Sequence, residues 1–377
     1  MGGQTDEKAV IMKTYLFIIS HPAHFHLFKN TIHSIEADGH KTIIIIRPKD
    51  VLEQLCKEAG IDYIKISERS RTTGKVGLAL SLIKKTWEVG RIVRKSRPDL
   101  MIGSDGVIAY VGTLFGIPSF DCDEDDAEAT PLFAKMFYPF FTGIIAPTIC
   151  SVGKWKDKQI GHHSYHELAY LHPHHFLADP AKLIEYGIPQ DKPFYLIRFA
   201  QLTAHHDSGI HGIDTETALR LVHMLEDRGN IYITSERPLE PELEPYRIHI
   251  RPIDIHHIMA YADLFIGDSQ TMAAEAGVLG TPFVRLNDFS GRLAYLNEIE
   301  GFYHLGVSHK ASDIDGFFQS IQRWLDTPDR KALCQARRQQ LLKEKIDLAQ
   351  FLTWFIESYP DSVTIMSRSP DYQLRFK

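Results

Sequence analysis

The second half of the chain contains the run Leu264-Phe265-Ile266-Gly267-Asp268-Ser269-Gln270-Thr271-Met272-Ala273-Ala274-Glu275. Three apolar residues predict a buried strand, and Gly267 begins a tight turn. The helix that follows, from Thr271 to Leu279, ends at Gly280 and Pro282. A strand that leads at once into a helix is the repeating unit of α/β proteins with parallel sheets.

The start of this helix is a candidate phosphate site. A helix N-terminus presents unpaired backbone N–H groups and the positive end of the helix dipole. Asp268, Ser269, Gln270 and Thr271 surround this point, and Glu275 follows on the same face, where it can accept hydrogen bonds from ribose hydroxyls. The alternative is a capped helix, with Ser269 or Asp268 as N-cap and Glu275 as a solvated charge.

The alternation of strand and helix continues on both sides of this run. Because helix-length segments separate the strands, the connections are crossovers and the sheets are parallel. The pattern restarts after a His- and Pro-rich stretch, so we predict an α/β fold with two Rossmann-like domains facing across a cleft. The predicted strands are 15–19, 42–46, 63–66, 100–102, 117–120, 143–146, 194–198, 231–234, 247–250, 264–266 and 283–285.

The same pattern predicts the domain boundaries. The polar first residues lack the apolar core of a signal peptide and predict a disordered leader. We expect the final helical segment to pack back on the first domain. The predicted divisions are a leader at 1–12, an N-terminal Rossmann-like domain at 13–175, a linker at 176–192, a C-terminal Rossmann-like domain at 193–345 and the returning helix at 346–377.

Composition excludes several classes of function. The 377 residues carry a net charge of -6, so no basic surface is expected that could bind nucleic acid. The four cysteines lie far apart, which indicates neither a disulfide framework nor a thiolate zinc site and fits the cytoplasm. No stretch is long enough to span a membrane, although peripheral contact with its inner face stays open.

The loop after the first strand, Ser20-His21-Pro22-Ala23-His24-Phe25-His26, is rich in histidine. Imidazole titrates near neutral pH, so His24 and His26 are candidate catalytic residues, as a general base or as groups that orient a sugar or phosphate. The alternative is a structural hydrogen bond at the start of a helix. A zinc site is disfavoured, because the two side chains fall on different faces of the helix.

A second histidine-rich loop follows the first strand of the second domain. Arg198 ends that strand and can pair with phosphate in a forked geometry. His206, Asp207 and His211 lie in the loop between Ala204 and Gly212, which has a composition suited to ligand contact. The alternative is a polar loop with a turn glycine. Ser235-Glu236 ends the next strand and faces the same predicted cleft.

An acidic run, Asp121-Cys122-Asp123-Glu124-Asp125-Asp126, follows the fifth predicted strand. It can bind a divalent cation or position a sugar hydroxyl, with Asp123 and Asp126 as candidate catalytic carboxylates, or it can be a solvated loop. Its spacing does not match an EF-hand. Six histidines resemble a metal cluster by number, but their irregular spacing argues against one, and we assign no metal ligands: His162, His163, His166, His172, His174 and His175.

Taken together, these motifs identify the chain as similar to an uncharacterised bacterial and archaeal family of the GT-B superfamily. That family is close to UDP-N-acetylglucosamine 2-epimerases and to glycosyltransferases, and the resemblance covers about Lys13 to Leu342. The sequences that carry it are Pro22-Ala23-His24-x-His26, Asp123 to Asp126, Tyr165 to Pro173, Arg198-Phe199 with Ala204 to Gly212, Ser235-Glu236 and Thr271 to Pro282.

The resemblance implies a division of labour between the domains. The second would hold the nucleotide, with the base near Arg251 and the ribose at Glu275. The first would hold the acceptor and the catalytic groups, with His24 as general base. Two features depart from the family: Ala127 stands where a histidine usually follows the acidic run, and the phosphate turn has fewer glycines. The diphosphate ligands would be Asp268, Ser269, Gln270 and Thr271, with Arg198 and His211 nearby.

The resemblance implies a glycosyltransferase-like protein that binds a UDP-type sugar for cell-envelope or polysaccharide synthesis. No cofactor is required, because the nucleotide sugar is itself the substrate. The acceptor is a polysaccharide or a lipid-linked molecule, and a homodimer is left open. The alternatives are a non-hydrolysing nucleotide-sugar 2-epimerase, with Asp123, Asp126 and Glu236 as acid/base carboxylates, and a binding protein without catalysis.

Overall fold

The computed structural model describes residues 12–48, 51–67, 75–200 and 212–377 of the chain. The predicted leader therefore lies outside the described residues, apart from Met12. The strands within the described ranges are β1 (Thr14–Ile19), β2 (Lys41–Ile46), β3 (Ile64–Lys65), β4 (Leu100–Gly103), β5 (Ser119–Cys122), β6 (Gly143–Pro147), β7 (Gln159–His162), β8 (Phe194–Phe199), β9 (Asn230–Ser235), β10 (Leu264–Gly267), β11 (Phe283–Leu286) and β12 (Gly306–His309).

Helices separate most of these strands. They are α1 (Pro22–Ala37), α2 (Leu52–Glu58), α3 (Lys75–Ser96), α4 (Val107–Phe115), α5 (Pro131–Phe137), α6 (Ala181–Glu185), α7 (Thr215–Leu225), α8 (Ile255–Tyr261), α9 (Gln270–Leu279), α10 (Ala294–Gly301), α11 (Ile314–Asp326), α12 (Arg330–Glu344), α13 (Leu348–Glu357) and α14 (Asp361–Arg368). Within the described parts of the chain, 3-10 helices add short connections at Gly153–Lys158, His166–Ala169, Glu244–Tyr246 and Pro370–Phe376.

The strands form two parallel sheets, as the sequence predicts. The first has the order β3-β2-β1-β4-β5-β6-β7 and the second the order β12-β11-β10-β8-β9. In each sheet the strand order reverses beside the first strand of the domain, β1 or β8. The carboxyl ends of strands at such a reversal form the usual ligand crevice of open parallel sheets.

The central strands are apolar because helices cover both of their faces. Every residue from Tyr15 to Ile19 is buried, and so are Ile43 to Ile46 in the neighbouring strand. Parallel sheets require this, since the crossover helices leave neither face in water. In the second sheet, α9 is buried from Ala273 to Leu279 and ends at Gly280, whose φ of 75° lies in the left-handed region.

The structure corrects several predicted strands. Residues 247–250 form a single parallel bridge from Arg247 to Ile233 rather than a strand, because a 3-10 helix precedes them and Pro252 follows. The fifth strand begins at Ser119 instead of residue 117, and the third is only two residues long. Strands β7 and β12 were not predicted, since both are short and partly polar.

The C-terminal helices return to the first sheet. The Thr31 hydroxyl of α1 donates to the Ala349 carbonyl of α13 at 3.5 Å, and the Phe120 ring of β5 packs edge-on against Phe355 at 5.2 Å. Where each domain begins and ends stays a prediction. None of the helices in the described ranges has the length and apolar character needed to cross a membrane.

Candidate active site

The turn from β10 into α9 is tightly built. A side chain at Gly267 would lie 2.8 Å from the Arg198 carbonyl oxygen, so the close approach of β8 requires glycine here. Ser269 is the N-cap of α9, and its hydroxyl accepts the Met272 N–H at 3.3 Å. The capped-helix interpretation is therefore right for Ser269. A cap at this position is compatible with phosphate binding by the remaining N–H groups, and that role stays a prediction.

Asp268 anchors the chain on both sides of residues 201–211. Its carboxylate accepts the Ala200 N–H at 2.7 Å and the Ile213 N–H at 3.3 Å. Burial raises the pKa of Asp268 to about 6. The predicted site residues His206, Asp207 and His211 lie outside the described residues.

Glu275 is buried between the domains rather than solvated. It is 4% exposed, and its Oε1 accepts hydrogen bonds from the Tyr170 hydroxyl at 2.8 Å and from His256 Nε2 at 2.9 Å. Tyr170 belongs to the chain that follows the first sheet, whereas His256 lies on α8 of the second. The carboxylate therefore ties the two halves of the molecule together, and its second oxygen retains acceptor capacity for a ribose hydroxyl.

His26 completes this contact. Its ring stacks on Tyr170 at 5.1 Å and meets His256 edge-on at 4.9 Å. Burial keeps the pKa of His26 well below its usual range, which makes this imidazole neutral and a weak base. We call His26, Tyr170, His256 and Glu275 the Glu275 junction.

His24 differs from His26 because it is only partly buried. Its Nδ1 lies 3.3 Å from the Ser20 hydroxyl, which orients the ring. His21 is the N-cap of α1 and accepts the Ala23 N–H at 3.2 Å. Of the two predicted catalytic histidines, His24 is thus the one whose surroundings suit a general base.

The carboxylates predicted from the acidic run are bound to backbone. Asp123 accepts the N–H groups of the next two residues at 2.9 and 3.1 Å, which forms a tight turn. Asp126 accepts the Ser151 N–H and the Ala294 N–H, both at 2.7 Å. The second bond satisfies the N-terminus of α10 across the domain boundary. The solvated-loop interpretation is wrong, because each residue of the run is buried or partly buried.

Three further acids lie near one another, and we call Glu124, Asp125 and Glu167 the acidic cluster. Glu124 accepts the His166 N–H at 3.1 Å, but neither carboxylate oxygen of Glu167 accepts a bond from another described residue. Burial raises the pKa of Glu167 to about 8, and burial with the nearby Glu167 charge raises that of Glu124. A carboxyl group with the pKa of Glu167 exchanges protons near neutral pH, as acid/base catalysis requires.

Tyr295 of the second domain lies near this cluster. Burial raises the pKa of Tyr295, and so do the negative charges of Glu124, Glu167 and Asp125, while Arg285 opposes the shift. Tyr295 is therefore within electrostatic reach of the acidic cluster, and Arg285 is within reach of Tyr295.

Arg285 is a candidate anion ligand that the sequence analysis missed. It is fully buried at the end of β11 and paired in register with Gly267, at the same sheet edge as the α9 turn. One guanidinium nitrogen lies 3.4 Å from Glu300, whereas Nε and Nη1 have no partner among the described residues. The sequence did contain a signal for this residue, namely a cation directly after the apolar strand residues Phe283-Val284.

The two cations that the sequence analysis did predict, Arg198 and Arg251, already form ion pairs. Arg198 Nη2 lies 2.5 Å from Glu236, so the two predicted site residues at the ends of β8 and β9 meet as an ion pair. Arg251 has a half-exposed side chain and pairs with Asp254 at 2.6 Å. Phosphate would have to compete with Glu236 for Arg198, which makes Arg285 the cation with more unused hydrogen-bonding capacity.

Solved structures of two activities share this architecture. The UDP-N-acetylglucosamine 2-epimerase of Neisseria meningitidis, bound to UDP-GlcNAc, is 13% identical, with a TM-score of 0.63 over 91% of this chain and 99% of that one. The glycotransferase of kitacinnamycin is 12% identical, with a TM-score of 0.62 and coverage of 92% and 99%. Spinosyn forosaminyltransferase is 15% identical, with a TM-score of 0.60 and coverage of 91% and 99%.

At these identities the likeness establishes the fold alone. It confirms the predicted GT-B class with two Rossmann-like sheets. No curated protein matches the sequence significantly. A family model does match, with the description "Protein of unknown function (DUF354)", and it extends over residues 13–332. Because that match includes most of the chain, the protein belongs to this family.

Proposed function

We propose that this protein is a GT-B glycosyltransferase that holds a UDP-type sugar between its two sheets and passes the sugar to an acceptor. The observation that carries the proposal is the unused hydrogen-bonding capacity of two buried groups, the Glu167 carboxyl group and the Arg285 guanidinium beside the α9 turn, neither of which is fully partnered among the described residues. A substrate with both a diphosphate and sugar hydroxyls would satisfy two such groups, which are costly to bury without partners.

The diphosphate would lie at the N-terminus of α9. Ser269, Gln270 and Thr271 supply polar side chains there, and Arg285 reaches the same sheet edge from β11. Helix N–H groups and a guanidinium can stabilise the charge that develops on a departing nucleoside diphosphate, so this step needs no metal ion. Arg198 would contribute once it exchanges Glu236 for phosphate.

The nucleoside would lie beyond Glu275, whose second carboxylate oxygen would accept from the ribose, with the base toward Arg251. His24 would act as general base. It would take the proton of an acceptor hydroxyl as that oxygen bonds to the sugar and the bond from the sugar to the diphosphate breaks. We propose a polysaccharide or a lipid-linked precursor as the acceptor, reached at the cytoplasmic face of the membrane.

A second candidate is epimerisation at the sugar. It is favoured by the proximity of Glu124 and Glu167, because the charge of Glu167 raises the pKa of Glu124 and such a pair can serve as an acid and a base. These two residues replace Asp123 and Asp126 in this role, since the latter are engaged with backbone N–H groups. A binding protein without catalysis is the third candidate and predicts no turnover.

A ligand panel followed by product analysis tests the proposal. We expect UDP and UDP-sugars to raise the melting temperature of the full chain, since a ligand that binds only the native state stabilises it. No shift with UDP-, GDP- or CMP-linked sugars would contradict all three candidates. With a binding sugar, proton NMR in the absence of acceptor separates the two reactions, because only an epimerase produces a new sugar nucleotide.

A further inference from the structure

Three histidines that follow Tyr170 surround one buried carboxylate. Asp347 precedes α13 and its side chain is fully buried. Its Oδ2 lies 2.8 Å from His175 Nε2, 3.0 Å from His174 Nδ1 and 3.7 Å from His172 Nδ1. The histidines are separated from Asp347 by more than 170 residues of sequence, so only the fold brings the four together.

We propose that His172, His174, His175 and Asp347 bind a divalent transition metal ion, for which zinc is the best match. Imidazole nitrogens and a carboxylate oxygen are zinc ligands, and four protein ligands are typical of a closed, structural site. Hard cations such as Mg²⁺ prefer oxygen ligands, so a set with three imidazoles disfavours them.

The spacing of the ligand atoms fits this ion. With Zn–N and Zn–O bonds of about 2.0–2.2 Å, two ligands of a tetrahedral site are roughly 3.4 Å apart. The three distances to Asp347 bracket that value, and the ligand atoms of His172, His174 and Asp347 all lie within 4.8 Å of one another. These three residues form the compact part of the site, and the ring of His175, 2.8 Å from Asp347, would have to move to complete the tetrahedron.

His172 gives a reason for a cation at this point. Its Nδ1 accepts the His174 N–H at 3.3 Å, so this nitrogen carries a lone pair rather than a proton. The 3.7 Å separation from Asp347 Oδ2 thus joins two acceptors and is too long for a hydrogen bond.

The surroundings hold the carboxylate and admit the ion. Asp347 Oδ1 accepts the Gln350 N–H at 3.1 Å, and the Asp347 N–H donates to the Phe376 carbonyl at 2.8 Å, which fixes its position. The side chain of His174 is 48% exposed, whereas that of His172 is 7% exposed. An ion can therefore enter from solvent at His174 and be retained by the buried partners.

This site is separate from the proposed sugar-nucleotide chemistry. A bound metal would link the segment that carries Tyr170 to the start of α13, and so fasten the C-terminal helices to the first sheet. We expect it to stabilise the native chain without being required for binding of UDP, because none of its ligands belongs to the Glu275 junction or the acidic cluster.

The test uses the untagged full chain after treatment with a chelator. We expect one equivalent of Zn²⁺ to bind in competition with a chromophoric chelator and to raise the melting temperature. His174→Ala should weaken this binding at least about 100-fold, since even the loss of an outer-shell partner costs 10–100-fold. His223→Ala is the control, because the His223 side chain is 85% exposed on α7 and far from this set in sequence.

Binding by the wild type that equals that of His174→Ala, or an equal loss in His223→Ala, would overturn the proposal. If His174→Ala fails to fold by circular dichroism, Co²⁺ absorption of the wild type decides. Saturable bands of tetrahedral Co²⁺ at one equivalent support the site, whereas their absence rejects it.

Discussion

Two groups of buried polar residues meet between the sheets, and their glutamates are paired differently. In the Glu275 junction, Glu275 accepts bonds from one residue of each domain. In the acidic cluster, Glu167 accepts none from another described residue, and burial makes its ionisation unfavourable. Partnered buried groups stabilise a fold, whereas unpartnered ones destabilise it and persist where function needs them. We therefore expect the junction to serve mainly the fold, with one Glu275 oxygen left for the ribose, and the acidic cluster to serve the ligand.

The largest effect is expected from Glu167→Gln. The change keeps the shape and removes the titrating proton, so we expect turnover to fall by about 10²–10⁴-fold, which is the usual contribution of a general acid or base. The melting temperature at pH 7 should not fall, because the native carboxyl group accepts no bond from another described residue. Glu216→Gln, at an exposed position of α7, is the control. Unchanged turnover would remove Glu167 from the site.

Glu275→Ala, in contrast, should reduce the stability of the protein. It leaves the buried Tyr170 hydroxyl and His256 without their acceptor, which we expect to lower the free energy of unfolding by roughly 2–5 kcal/mol. Urea denaturation measures this loss, and Glu275→Gln should recover part of it because the amide oxygen still accepts a bond. A Glu275→Ala protein as stable as the wild type would break the contrast between the two groups.

Arg198 and Arg285 differ in their pairing, since Arg198 forms an ion pair with Glu236 whereas Arg285 is only partly paired. Arg285→Met removes a buried guanidinium of which two nitrogens have no partner among the described residues, and we expect UDP to bind about 10–100-fold more weakly, as for one or two charged hydrogen bonds. Arg198→Met should cost less, since Arg198 must first release Glu236. Calorimetric titration of both variants tests the order, and the reverse order would assign the diphosphate to Arg198.

The smallest effect is a difference in pH dependence. The pKa of Glu167 rises on folding, so its contribution to stability is complete below the unfolded value and is lost as pH rises toward about 8. Burial lowers the pKa of His166 to about 3, so its contribution is complete above about 6.5 and is lost as pH falls. Relative to wild type, Glu167→Gln should thus gain stability steadily from pH 5 to pH 8. Parallel profiles in urea denaturation would contradict this.

Much of the fold could be predicted from the sequence because the central strands are continuous apolar runs. Phe265-Ile266 and Tyr15 to Ile19 carry that signal directly, and the parallel arrangement follows from the helices between strands. The strands β7 and β12 carry polar residues and no such run. Residues 247–250 were instead predicted as a strand that does not form, because the neighbouring turns leave only a single bridge there.

The candidate site was less accessible to this reasoning. Its parts come from distant segments: Glu124 and Glu167 precede Arg285 by more than 100 residues, and no spacing relates them. Asp126 was predicted as a candidate catalytic carboxylate, but its bonds to Ser151 and Ala294 are properties of the folded chain. Whether an acid is paired, and hence whether it is structural or available to a ligand, cannot be predicted from its position in the sequence.

The most direct measurement is a crystal structure of the protein with UDP. The account predicts the diphosphate between the sheets, within about 3.2 Å of the Arg285 guanidinium and of N–H groups at the start of α9, with the Glu275 junction intact. A nucleotide bound outside this cleft, or a diphosphate remote from Arg285 and α9, would contradict the account.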